Sequence, residues 1–279
     1  LVRTEKYVEE LKTYTAKVQT MHEELHSSSE NSLVDYPYQE QDCILEASDI
    51  LMDSMMLSVP AKQILAGCKQ GAQTLLDSLD AMEDMMHLFY QHKGLNKNAA
   101  DEVDKLPKGH LNIRYQRMFA GAFMYAAGNH IGIGWNETAG LANAVPVQSE
   151  NGKYKSGRYF GWGVAHEIGH NINQGNYAIA EITNNYYAQL AQAQDTDESV
   201  RWTYANLYEK VTSGTVGRSP NGATQLGMYW QLHLAYDNGY NYKTYDNYEE
   251  QLDNIFFARV DTYARTPAKA PAPGGIGLK

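Results

Sequence analysis

Apolar residues in the first third of the chain recur every three or four positions, the spacing that lines one side of a helix. In residues 1–26 they are Val2, Tyr7, Val8, Leu11, Tyr14, Val18 and Met21, with charge between them. Residues 27–38, with the run Ser27-Ser28-Ser29 and Pro37, break the pattern and read as a loop. The spacing predicts a second helix over residues 41–57. A third starts at Pro60, a residue favoured in a first helical turn, and runs to about residue 92. The apolar set of this third helix includes Ile64, Leu75, Leu79, Met82, Met85, Met86 and Phe89; its methionines read as an adaptable core seam, closed by Gly94.

From Leu111 the texture changes. Ile113, Tyr115, Met118 and residues 123–127 indicate short strands, and glycine becomes more frequent. Residues 130–135 alternate and read as an edge strand whose glycines let another backbone come close. A turn at 140–143, a strand at 145–147 and a polar loop at 149–157 follow. Helical patterns return over 164–170, 177–193, 200–211, 223–236 and 248–264, and the Pro- and Gly-rich residues 266–279 read as a flexible, linker-like tail. The expected fold class is mainly α with a small β-sheet (α+β). Three stretches are expected: an N-terminal helical part (1–94), a core (95–265) and the tail.

Composition narrows the partners. At 279 residues and 43% hydrophobic the chain can bury a large core, and no apolar run approaches the ~20 residues of a membrane helix. It begins with Leu1 and shows no leader pattern, so a removed leader or excision from a longer protein is expected. Net charge is −10 with lysine and arginine scattered, which argues against nucleic acid. Cys43 and Cys68 form neither a disulfide framework nor a zinc ribbon and read as buried apolar residues. Most of the 21 tyrosines and four tryptophans are assigned to the core.

The chemistry concentrates in His166-Glu167-Ile168-Gly169-His170. On a helix, His166 and His170 share a face and can bind one metal ion, with Glu167 beside them. With nine histidines in the chain, a chance match is on the order of one or two in a hundred. A hydrolytic zinc site takes three protein ligands, an open position for water and a carboxylate base. Between His170 and Asp195 the only carboxylate is Glu181, and no His or Cys occurs there, so Glu181 is the third ligand expected, on the first turns of the next helix. Asn185, one turn later, can orient a ligand imidazole through its second nitrogen. Tyr229 and His233 are nominated as donors to a developing oxyanion.

These residues resemble a known family. The His-Glu-x-x-His run, the ten-residue gap to Glu181 and the continuation Ile182-Thr183-Asn184-Asn185 are similar to the enhancin-like, mucin-directed zinc metallopeptidases, peptidase family M sixty. Gly128 to Trp135 resembles that family's glycine-rich approach to its site, and Leu226 to Leu232 its late helix. The resemblance implies a zincin-like catalytic domain with one zinc ion on His166, His170 and Glu181, and Glu167 as the base. It implies a secreted or surface-attached bacterial enzyme, a monomeric catalytic domain within a larger protein, cleaving O-glycosylated proteins such as mucins. Substrate is then expected antiparallel along residues 130–135, near Gly132 and Gly134, with Trp135 stacking on sugar and Asn143 and Arg158 meeting its hydroxyls. The alternatives are a zinc peptidase without glycan requirement, a carbohydrate-binding or adhesive module with a degenerate site, and a structural helical domain.

Overall fold

The computed structural model describes residues 5–13, 15–16, 47–68, 71–118, 121–143, 160–196, 203–213, 222–237 and 247–266. Cys43, Arg158, the strand expected at 145–147, the loop expected at 149–157 and nearly all of the expected tail lie outside them. The chain divides into two compact units, Leu1–Asp80 with His110–Val145, and Ala81–Gly109 with Pro146–Lys279.

In the first unit, residues 5–13 form helix α1. Residues 47–60, which fall mostly in the second helix expected from spacing, form instead a β-hairpin of β1 (Ala47–Leu51) and β2 (Met55–Pro60). Met55, Leu57 and Val59 are completely buried while Met56 and Ser58 are half-buried, a period of two that belongs to a strand. Five strands make one mixed sheet in the order β1-β2-β3-β5-β4, with β3 at Leu111–Tyr115, β4 at Met124–Ala127 and β5 at His130–Ile133. Leu57 registers with Ile113 and Ile113 with Ile131, giving a fully buried row across the three central strands.

That order corrects the edge-strand expectation. β5 is paired on both sides, parallel to β3 and antiparallel to β4, so its backbone groups are already used and no peptide can add to it. Gly132 serves the packing of Tyr125: a Cβ there would fall 2.1 Å from the tyrosine ring. The strand also stops early, because residues Trp135–Thr138 turn into the short helix α4, with Thr138 Oγ1 donating to Gly134 O at 2.7 Å.

The single helix expected after Pro60 is two, α2 (Ala61–Gly67) and α3 (Ala72–His92). Gly71, at φ 101°, breaks the helical path between them. α3 begins in the first unit and ends in the second, where Met82, Met85, Met86 and Phe89 are buried. Gly94, at φ 64°, closes it: Leu95 N donates to Tyr90 O at 2.9 Å and Gly94 N to Gln91 O at 3.0 Å, the paired bonds of a left-handed helix cap.

The further helices among the described residues of the second unit are α5 (Ala165–Ile172), α6 (Thr183–Thr196), α7 (Tyr204–Thr212), α8 (Gly222–Leu232), α9 (Tyr248–Asn254) and α10 (Phe256–Arg265). The last two divide the one helix expected over 248–264. Extended Ile255 separates them, and the Asp237 carboxylate accepts from Phe256 N at 2.8 Å and Phe257 N at 3.3 Å, capping α10. Polar bonds tie the end of α3 to both: Gln251 Nε2 donates to Gln91 O at 3.0 Å, and Lys93 Nζ meets Asp261 Oδ1 at 3.0 Å. No helix among the described residues is long and apolar enough to cross a membrane.

Candidate active site

α5 carries the two histidines because one of its faces is built to be buried. Ala165 and Ile168 are inaccessible and Gly169 is buried, and His166 and His170, four positions apart, stand together on the adjoining face. Their ring centroids stand 4.9 Å apart, at 85° to one another. A wider helical turn, Phe160–Val164, leads into α5.

α6 lies against α5 at very short range. A Cβ on Gly169 would come within 2.7 Å of Asn184 O and 2.8 Å of Asn184 Cα, so only glycine admits this approach. It delivers two adjacent asparagines to the histidines. Asn185 Nδ2 donates to Glu181 O, which fixes the amide's orientation and leaves Asn185 Oδ1 facing His166 Nδ1 at 2.6 Å. An amide oxygen only accepts, so His166 carries its proton on Nδ1 and keeps a lone pair on Nε2. Asn184 Nδ2 sits 2.9 Å from His170 Nε2 and 3.2 Å from both Nδ1 and Nε2 of His166.

The Glu181 carboxylate completes the group. Its Oε1 lies 3.0 Å from His170 Nε2 and its Oε2 3.5 Å from His166 Nε2. Glu181 is not on a helix, contrary to the expectation of one running from residue 177. α6 starts at Thr183, and Glu181 occupies the preceding turn at φ 63°, the only non-glycine residue with positive φ among those described. A left-handed conformation costs a β-carbon-bearing residue about 1–2 kcal/mol, and such strain persists where surrounding contacts enforce it. Here they are the Asn185 bond to its carbonyl and the Thr183 hydroxyl, which donates to Ile179 O and accepts from Ile179 N, both at 3.1 Å.

Glu167 is buried, with Oε1 4.0 Å from His166 Nε2, and the possible ligand atoms of His166, Glu167 and His170 all lie within 4.8 Å of one another. The donor set, two imidazole nitrogens and a carboxylate, is one that zinc takes, with the two Glu181 oxygens 3.0 and 3.5 Å from the two Nε2 atoms.

Gly132, Gly134, Trp135 and Asn143 belong to the first unit, where Trp135 is half-buried edge-on to Tyr115 at 5.8 Å and Asn143 is exposed. His233 is 3% exposed and sits 3.2 Å from Tyr186 OH, which in turn lies 2.8 Å from His92 Nε2. Burial first, then His233 and Lys93, hold the His92 pKa well below the ordinary imidazole value. Tyr229 is half-buried in the same aromatic cluster, 6.4 Å from Tyr186. Asn184 was not singled out by sequence reasoning; its signal was the Asn-Asn pair opening α6, one turn of helix beyond Glu181.

The class is a mainly helical α+β, zincin-like catalytic domain, and its likenesses agree. The M60 catalytic domain of Clostridium perfringens ZmpC, solved in complex with the sialyl T antigen, matches with 18% identity and a TM-score of 0.60 over 95% of this chain and 48% of that one. A Clostridium perfringens ZmpB structure with CBM32-1, CBM32-2 and M60 catalytic domains matches with 19% identity and a TM-score of 0.58 over 95% of this chain and 25% of that one. A metallopeptidase in complex with Tn antigen matches with 14% identity and a TM-score of 0.51 over 80% and 38%. At these identities the likeness is one of fold, and the chain spans about half or less of each solved chain. No curated protein matches its sequence. The chain belongs to the Peptidase M60, enhancin and enhancin-like family, whose model matches residues 46–255.

Proposed function

We propose that the chain is a zinc-dependent endopeptidase acting on O-glycosylated, mucin-type proteins, with a glycan recognised beside the scissile bond. The observation that carries this is the convergence of His166 Nε2, His170 Nε2 and the Glu181 carboxylate next to Glu167, in a chain of the M60 family. Those three side chains would hold the zinc, and Asn185 keeps the His166 lone pair on Nε2. Bound there, zinc supplies Lewis acidity that polarises a carbonyl and brings the pKa of a water toward ~7. Glu167 Oε1 takes the proton from the attacking water and returns it to the leaving amine. Burial of Glu167 keeps bulk water from competing for that proton.

Two similar structures hold glycan antigens, which supports a glycan requirement. Trp135, Asn143 and Arg158 are the sugar contacts we assign, and we infer a secreted or surface-attached bacterial protein. The test is a pair of peptides of one sequence, one bearing an O-linked sugar, incubated with zinc-loaded protein and read by mass. Cleavage of the glycopeptide alone is expected, abolished in Glu167→Ala with zinc stoichiometry still near one. Equal cleavage of the bare peptide removes the glycan requirement, and cleavage by Glu167→Ala removes the assigned base.

A further inference from the structure

Glu181 is the weakest-held member of the site. Its side chain is 65% exposed, against 13% for His166 and 26% for His170, and it hangs from the connection between α5 and α6 rather than from a helix. An exposed carboxylate on a strained turn keeps its aim only if the backbone on both sides is fixed. On the later side, α6 does this through Asn185.

On the earlier side the fixing comes from α10. Tyr177, four residues before Glu181, donates its hydroxyl to Asp261 Oδ2 at 2.7 Å, and Asn176 Nδ2 donates to Ala264 O. Asp261 is itself immobile: its side chain is 1% exposed and its other oxygen is held at 3.0 Å by Lys93 Nζ from the end of α3, 8% exposed. A buried carboxylate bonded at both oxygens cannot rotate without unpairing a charge, at a cost larger than that of most single contacts. Tyr177 is therefore attached to a fixed point. Burial, then the Asp261 charge, raise the Tyr177 pKa well above 10, so its hydroxyl remains a donor at every pH the protein meets. Tyr177, Thr183 and Asp261 also line a cavity with Asn173, Tyr187 and Tyr229.

We propose that Lys93, Asp261 and Tyr177 form a positioning clamp for Glu181, through which α10 and the end of α3 set the affinity of the metal centre without touching a ligand. The proposal rests on Glu181 being a zinc ligand, and its test separates the two. Zinc dissociation constants would be measured on the full chain by chelator competition, together with the melting temperature of the metal-free protein. Four proteins are needed: wild type, Tyr177→Phe, Glu181→Ala and the double variant.

Tyr177→Phe removes one oxygen and should raise the zinc Kd by about tenfold, the lower range for outer-shell partners. The metal-free melting temperature should fall by several degrees, because the lost bond is made to a buried charge. In the Glu181→Ala background the same change should alter Kd by less than about twofold, because a clamp acting through Glu181 has nothing left to position. An unchanged Kd in Tyr177→Phe, or an equal loss in both backgrounds, overturns the clamp while leaving the ligand assignment standing. An unchanged Kd in Glu181→Ala overturns the ligand assignment and the clamp with it. If Tyr177→Phe melts far below wild type, Asn176→Ala, which removes the exposed second tether, is read in the same cycle against the same outcomes.

Discussion

Gly169→Ala tests whether the contact between α5 and α6 sets the site. The added Cβ would stand 2.7 Å from Asn184 O, 2.8 Å from its Cα and 3.0 Å from its Cβ. Ordinary carbon contacts begin at about 3.5 Å, so α6 must retreat by roughly 0.7 Å. The obstructing atoms are mostly backbone, and no rotamer change relieves them. Overpacking of this kind costs about 1–3 kcal/mol, of which a better helix former returns about 1 kcal/mol. Because backbone meets backbone, the net is expected at the upper side, about 1–2 kcal/mol. For a protein of this size that lowers the melting temperature by about 2–6 °C, read on metal-free protein by calorimetry. The larger consequence is chemical. A 2.6 Å bond from His166 Nδ1 to Asn185 Oδ1 does not survive such a retreat, and Glu181 moves with α6. Zinc affinity should fall at least tenfold by chelator competition, as ~10–100-fold losses follow when a ligand histidine loses its partner. A variant with wild-type melting temperature and wild-type affinity would show that the two helices have slack and that their proximity does not organise the site.

Asn185→Leu removes the acceptor of His166 Nδ1 and the donor to Glu181 O together, and should lower zinc affinity about 10–100-fold. Asn185→Asp, which still accepts from Nδ1, should recover part of it, and equal losses in the two variants would refute the tautomer argument. His92 gives a pH prediction: folded, its pKa lies well below 6.5, whereas the unfolded chain takes up the proton near 6.5. Its contribution is thus complete above about pH 6.5 and lost as pH falls below it, up to about 1.4 kcal/mol at pH 5.5. Urea midpoints of metal-free protein at the two pH values should show this, and a His92→Gln variant with the wild-type pH profile would refute it.

Local pattern carried far in the helical part. The face shared by His166 and His170 and the closure of α3 at Gly94 depend on residues a few positions apart, and so could be read from spacing alone. Asn185 was reachable for the same reason, since one helical turn is a fixed distance. The hairpin at 47–60 and the interior place of β5 were not legible. A short apolar run such as Met55 to Val59 fits a helix or a strand equally, and its pairing partner, residues 111–114, lies more than fifty positions away.

The sequence by itself determined the chemistry available at the site: which donors exist, on which helix two of them stand, and that one carboxylate alone follows within reach. Tertiary structure decided how they meet. Glu181 turns toward the histidines from a left-handed turn because α6 closes on Gly169 at backbone distance and Asp261, eighty residues later, holds the connection at Tyr177. Periodicity records which face of an element is buried; the partner that buries it is set by contacts distant in sequence, which no local spacing encodes.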